Sequence, residues 1–269
     1  MDILDEIIEL LKEEKKKNEY VYVSPEIMDE FNSAFFSQIY EPKISVQQQQ
    51  NSYNRENAFP NKNLQNPLEK TPTTQSTNSI SNIDFSQIEF EQLREYTKNC
   101  KMCPLHQGRT NAVFGEGSSN SKLMFILDEP GMEEDKNSSP LCGDAKELLD
   151  KMIEAMGFAK NDVFITNVVK CHPANSGEPS LTEVKTCIQY IDRQIELIKP
   201  KAIIIMGSVP LKYLLNGTKI SNERGKWHEY KKIKVMPTFH PAFLLRQPSK
   251  KKEVWSDLKE VMKYLKTII

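Results

Sequence analysis

The spacing of apolar side chains divides the chain into three stretches of different character. Over residues 1–17 they recur at helical spacing, with Ile3, Leu4, Ile7, Ile8, Leu10 and Leu11 on one broad face. The run Glu13-Glu14-Lys15-Lys16-Lys17 closes this helix as a solvated end. A second apolar patch, Ile27 to Tyr40, also reads as helical, so residues 1–40 are expected to form an N-terminal helical segment. From 41 to 84 the apolar positions thin out and Gln, Asn, Ser, Thr and Pro take over, including Gln47 to Gln50 and Thr71-Pro72-Thr73-Thr74. Such a stretch buries too little apolar surface to offset the entropy of ordering, which predicts a disordered linker.

From residue 85 to 269 the pattern is that of a folded domain. Ile88, Phe90, Leu93 and Tyr96 predict a helix leading into it. Four apolar runs of strand length follow, Leu123–Leu127, Val163–Val169, Ala202–Met206 and Ile233–Met236. Helical patterns occupy Ala145–Met156, Leu181–Ile198, Val209–Leu215 and Glu253–Ile268, the second of them opened by the capping box Ser180-Leu181-Thr182-Glu183. Strands alternating with helices predict an α/β fold, a three-layer α/β/α domain around a central four-stranded parallel sheet. In such sheets the site lies beyond the carboxyl ends of the strands.

Charge sharpens this division. The formal net charge is −1, yet residues 1–99 carry 10 Lys+Arg against 17 Asp+Glu, whereas residues 100–269 carry 26 against 20. Between Lys219 and Lys252 there are ten basic residues and two acidic ones, with Trp227, Tyr230 and Phe243 interleaved. A basic, aromatic-bearing stretch beside a candidate site favours a phosphate-bearing partner over an ordinary solvated face. No run approaches the roughly 20 apolar residues that span a bilayer, and Met1 to Lys17 lacks the layout of a secretory signal. The expectation is a soluble, monomeric, cytoplasmic protein with no membrane association. In a reducing compartment its five cysteines read as metal ligands or buried thiols, not disulfides.

The candidate chemistry follows the strands. After the first run, Leu127 to Asp135 holds five carboxylates in nine residues around Pro130-Gly131. This is either an acidic surface loop or a place where a carboxylate orients water or steadies a developing cation. After the second, Asn167 is either a turn residue or a reader of a base edge, since its amide offers both donor and acceptor. After the last, His240 stands between Phe239 and Pro241 as a structural or a catalytic imidazole. Cys100-Lys101-Met102-Cys103 is a CxxC pair, with Cys171 and Cys187 further on; four thiolates hold zinc or an iron–sulfur cluster, and spacing does not choose between them. Cys142 is left over as a small buried residue.

These segments also occur in a telling order: Cys100-x-x-Cys103-Pro104-Leu105-His106, Arg109-Thr110-Asn111, Phe114-Gly115-Glu116-Gly117, Pro130-Gly131-x-x-Glu134-Asp135, Ile165 to Cys171, Arg224-Gly225-Lys226-Trp227 and His240-Pro241-Ala242-x-Leu244-Leu245-Arg246. From roughly Phe90 onward the chain resembles the family 4 (iron–sulfur) uracil-DNA glycosylases. The resemblance implies a uracil-DNA glycosylase-like domain over 85–269 that flips uracil out of DNA and hydrolyses its N-glycosidic bond. It implies a structural [4Fe–4S] cluster on Cys100, Cys103, Cys171 and Cys187. Asp128, Glu129, Glu134 and His240 become the catalytic candidates, His240 by stabilising charge on the departing base. Asn167, Leu141, Pro130 and Gly131 would line the uracil site. Ala242, Leu244, Leu245 and Arg246 would contact DNA, with Leu244 or Leu245 as the wedge in the minor groove. Apart from the resemblance, the amphipathic N-terminal helix of the extension is a candidate dock for a repair or replication partner.

The chain departs from the family pattern in three segments. Leu127-Asp128-Glu129-Pro130-Gly131 stands where the family has Gly-Glu-Ala (or Gly)-Pro-Gly, so Asp128 replaces Glu and Glu129 a small residue. Leu141 replaces a Phe that stacks on the flipped uracil, and His172 replaces an Arg. The alternatives are a DNA-binding relative with altered base specificity or lost activity, and a metal-stabilised module that recruits partners through its extension.

Overall fold

The computed structural model describes residues 85–173 and 178–268; the helical segment and linker expected over 1–84 lie outside the described residues. Six strands form one sheet: β1 (Glu116–Gly117), β2 (Leu123–Leu127), β3 (Val163–Asn167), β4 (Ala202–Met206), β5 (His228–Tyr230) and β6 (Ile233–Thr238), in the order β1-β3-β2-β4-β6-β5. The four expected strands are the central ones and are parallel, while β1 and β5 add antiparallel edges. The sheet is therefore mixed and six-stranded, not four-stranded. Neither edge has a readable period: β1 is two residues long, and the β5–β6 hairpin turns through Lys231 and Lys232 at φ 49 and 66. Such turns normally announce themselves with Asn or Gly.

The helices are α1 (Phe90–Lys98), α2 (Met132–Asn137), α3 (Gly143–Ala155), α4 (Leu181–Ile198), α5 (Ser208–Leu214), α6 (Ile220–Glu223), α7 (Pro241–Arg246) and α8 (Lys251–Ile268). At the start of α4 the capping box forms as expected: the Glu183 amide donates to Ser180 Oγ at 3.3 Å and the Ser180 amide to the Glu183 carboxylate at 2.7 Å. Every residue of β2, β3 and β4 is buried, the pattern of strands covered on both faces. Met124, Ile126, Phe164, Ile203 and Ile205 share a core with Val184, Ile191, Ile195 and Ile198 of α4 and Leu211 of α5. On the sheet's flank α8 packs against β6, burying Val254, Leu258 and Val261. The apolar run from Val163 outlasts its strand: Val168 and Val169 are buried in the turn that follows, where the Val168 amide bonds Leu127 O at 3.0 Å. Among the described residues no helix is long and apolar enough to cross a membrane.

Candidate active site and four-cysteine cavity

Strand register decides where the chemistry meets. Leu127 pairs with Asn167 on one side and Met206 on the other, and Met206 pairs with Thr238, so four strands end in one row. At a strand spacing of roughly 4.8 Å, that row spans about 14 Å from Asn167 to Thr238. Asn167, the Asp128-Glu129 pair and His240 thus leave the same edge of the sheet. Helix α3, which begins just after Leu141, packs against α7, which begins just after His240.

The five carboxylates of the acidic turn have different duties. Asp128 turns toward β4 and accepts the Val209 amide at 3.0 Å, capping α5. It lies against Gly207, whose φ is +113 and whose missing Cβ would collide with the Asp128 carboxylate. Burial pushes Asp128 up to about 7, with the charge of Glu129 adding to the effect and the Val209 amide opposing it. Glu129 is half-buried and also raised by burial; its Oε2 is buried without a hydrogen-bond partner. Glu134 uses both oxygens as a brace, accepting the Gly131 amide at 3.1 Å and the Cys142 amide at 2.8 Å, so it ties the Pro-Gly turn to the Leu141 segment. Asp135 is buried and cradled by the amides of Thr110 and Asn111 at 2.7–3.0 Å. Burial alone would raise its carboxyl, but these donors outweigh it and hold Asp135 below the usual range. Glu133 forms an ion pair with Lys136 at the surface.

Asn167 is 2% exposed. Its Nδ2 donates to Pro140 O at 3.0 Å, and its Oδ1 is buried with no partner. Because Pro140 O only accepts, the amide orientation is fixed and the free atom is an acceptor. Leu141, next to Pro140, is 6% exposed. The segment is pinned by Ser139, whose hydroxyl lies 2.6 Å from Glu116 Oε1, while Glu116 also pairs with Lys146. His172 bonds Pro130 O through Nδ1 at 3.0 Å, which places the proton on that nitrogen.

His240 caps α7: its Nδ1 accepts the Ala242 amide at 3.2 Å. The ring proton therefore sits on Nε2. Burial, with a smaller contribution from Arg246, lowers its pKa to about 4, so the imidazole is neutral at pH 7. Of the leucines that follow, Leu244 is 1% exposed and belongs to the core, whereas Leu245 is half-buried and Arg246 exposed. The basic stretch is partly spent within the fold: Arg224 pairs with Asp257, Lys231 with Asp192 and Glu196, and Lys250 with Glu253. Lys226, Arg246 and Lys252 are exposed.

Cys100, Cys103, Cys171 and Cys187 line one cavity, brought there by the loop after α1, the turn after β3 and helix α4. Cys142 lies elsewhere, at the start of α3. Burial pushes the Cys187 thiol up to about 12 and raises Cys103 and Cys171, so a metal must displace a proton from each. Arg109 Nη1 donates to Cys171 Sγ at 2.8 Å. Among the described residues, no three His, Cys, Asp or Glu side chains gather closely enough to hold a metal ion.

Comparison with known proteins agrees with this layout. Residues 114–259 match the family model of the uracil DNA glycosylase superfamily. The type-4 uracil-DNA glycosylase of Sulfurisphaera tokodaii is 42% identical over 181 residues, 64% of this chain and 82% of the relative. The chain belongs to the type-4 uracil-DNA glycosylases. The type-4 enzymes of Thermotoga maritima (36% identity, 65% of this chain and 94% of the relative) and Archaeoglobus fulgidus (37%, 61% and 86%) agree. Of the departures from the family pattern, Asp128, Glu129, Leu141 and His172 all lie at the carboxyl edge of β2 and β3. Sequence reading missed Lys170, Gln194 and Asp257, three buried polar residues. Lys170 lay within a quoted motif, but nothing in its spacing marks a buried ammonium.

Proposed function

We propose that this chain hydrolyses the N-glycosidic bond of uracil flipped out of DNA and leaves an abasic site. The observation that carries the reading is the unpartnered Oδ1 of buried Asn167. An orphaned buried acceptor costs about 1–3 kcal/mol, and the N3–H of uracil is a donor that satisfies it. Cytosine carries no hydrogen at that ring nitrogen, so the same acceptor discriminates against it.

As the bond between C1′ and N1 breaks, its electron pair passes to the base and charge grows on the uracil oxygen. His240 supplies a neutral Nε2–H donor for that charge, fixed in tautomer by its cap to Ala242. Water then bonds to C1′ and gives up a proton, and the departing uracil anion takes one up. Glu129, with its free Oε2, orients that water or steadies the cationic sugar, while Asp128 and Glu134 hold the turn that presents it. Pro130 and Gly131 wall the base site. Leu245 is the wedge, flanked by Ala242 and Arg246 as DNA contacts.

Four thiols and one imidazole, His106, line the cavity with no carboxylate, and the four thiols suit an iron–sulfur group. Cys100, Cys103, Cys171 and Cys187 would hold a [4Fe–4S] cluster, which when bound supplies a covalent clamp across three chain segments. Protein purified without oxidants is expected to be brown, with broad absorption near about 400 nm and four irons per chain; colourless, iron-free protein of full activity rules the cluster out.

The test of activity is release of uracil from single- and double-stranded DNA at enzyme excess, with hypoxanthine substrates alongside. Binding of uracil DNA without release of base defeats the proposal. One observation favours a weaker second reading, a DNA-binding relative with reduced chemistry: an aliphatic Leu141 lies where the family stacks a Phe. Base–aromatic stacking is worth about 1–3 kcal/mol, so Leu141→Phe is expected to tighten binding of uracil-containing DNA by roughly 5- to 150-fold. Titration of a duplex bearing an uncleavable deoxyuridine analogue measures it, and unchanged affinity shows that no ring is missing.

A further inference from the structure

Lys170 is 2% exposed, and its ammonium has no carboxylate among its hydrogen-bond partners. Nζ donates to Thr166 Oγ1, to Asn167 O at 2.9 Å and to Gln194 Oε1 at 2.9 Å, which uses all three protons on neutral acceptors. Those acceptors are themselves tied down, since Thr166 Oγ1 and Gln194 Nε2 both donate to Phe114 O. The main chain of Lys170 faces the other way. Its amide lies 3.3 Å from Cys187 Sγ, its carbonyl accepts the Val113 amide at 2.7 Å, and the next residue is Cys171. One residue thus borders the four-cysteine cavity and reaches back three positions to grip the backbone of Asn167.

An ammonium in such a place is costly, and a methionine of similar length would fill the space without that cost. What the methionine lacks is the grip on Asn167. We infer that Lys170 is a positioning residue that couples the four-cysteine site to the reading of the base by Asn167. The inference rests on the proposed role of Asn167, and its test separates the two.

The experiment uses the full chain and two duplexes identical except for one nucleotide, an uncleavable 2′-fluoro-deoxyuridine or a 2′-fluoro-deoxycytidine, each opposite thymine so that neither is Watson–Crick paired. The ratio of their dissociation constants is the uracil preference. Lys170→Met is expected to leave deoxycytidine-duplex affinity unchanged and to lower the preference by about tenfold, the scale of one lost hydrogen bond to a charged group. In the Asn167→Ala background the same change is expected to cost nothing more, because both act through one contact. Removing iron from the parent protein should lower the preference as well, and removing it from Lys170→Met should lower it no further. A folded Lys170→Met with parental preference overturns the inference, and so do losses that add to those of Asn167→Ala. Should Lys170→Met fail to fold, Gln194→Leu takes its place, with a smaller loss that vanishes in the Asn167→Ala background; parental preference or additivity there overturns it equally. If the parent itself fails to distinguish the duplexes, the Asn167 reading falls and this inference with it. If the parent does distinguish them, only the coupling is at stake.

Discussion

Replacing His240 by alanine is expected to slow uracil release by roughly 10²- to 10³-fold, the usual cost of losing one preorganised donor to a developing anion. The loss should fall on the single-turnover rate and not on duplex affinity, because in the proposed role the Nε2–H meets full negative charge only as the bond breaks. His240 also caps α7, and losing a cap costs about 0.5–2 kcal/mol, so alanine mixes two effects. His240→Asn keeps an acceptor for the Ala242 amide and isolates the chemical one. If His240→Asn releases uracil at the parental rate, the imidazole is not the anion's partner.

The pH dependence has a definite sign. The folded pKa of about 4 lies below the ordinary value of 6.5, so the unfolded chain binds the proton more readily between those values. The stability tied to neutral His240 is complete above about pH 6.5 and is lost as pH falls toward 4. The activity tied to it is lost only as pH falls through about 4. A parental pH–rate profile whose His240-dependent acid limb lies near 6.5 contradicts the burial seen at this ring.

Replacing Asp257 by alanine is expected to destabilise the domain by about 3–5 kcal/mol, because it strands a largely buried guanidinium. Asp257 is 2% exposed and accepts from Arg224 through both oxygens and from Thr238 Oγ1 at 2.6 Å. Arg224 also donates to Glu253 O and lies over the Phe239 ring. Gly225, at φ +74, allows this approach; a Cβ there would stand 2.7 Å from Asp257 Oδ1. Asp257 thus fastens to α8 both Arg224, just after α6, and Thr238 at the end of β6, two residues before His240. Denaturant unfolding measures the loss, and changing Arg224 and Asp257 together to Met and Leu should recover much of it. A stable Asp257→Ala protein would show that Arg224 finds another partner.

The positions that sequence reading located are those where one element's own pattern carries the information. The Leu123–Leu127 and Ala202–Met206 strands and the Leu181–Ile198 helix agree with the structure residue for residue. The place of Asn167 and His240 at strand ends was legible because the apolar runs end close by, and register then put both at one edge. The two edge strands were not legible, being too short or turned by lysines that carry no turn signal. Nor was Arg224, read as part of a basic face and found inside against Asp257. Leu244 and Leu245 were indistinguishable until α7 set one into the core and the other at its surface.

The amino-acid order alone therefore determined the class of fold, the four central strands and most of the helices between them, since each depends on periodicity or spacing within a few turns of chain. Packing between distant segments decided the rest: that Glu134 braces a turn, that Asp128 caps α5, that Lys170 grips Asn167, and that four cysteines from three segments line one cavity. Those duties follow from which groups are buried together, and burial is a property of the assembled layers that no local pattern contains.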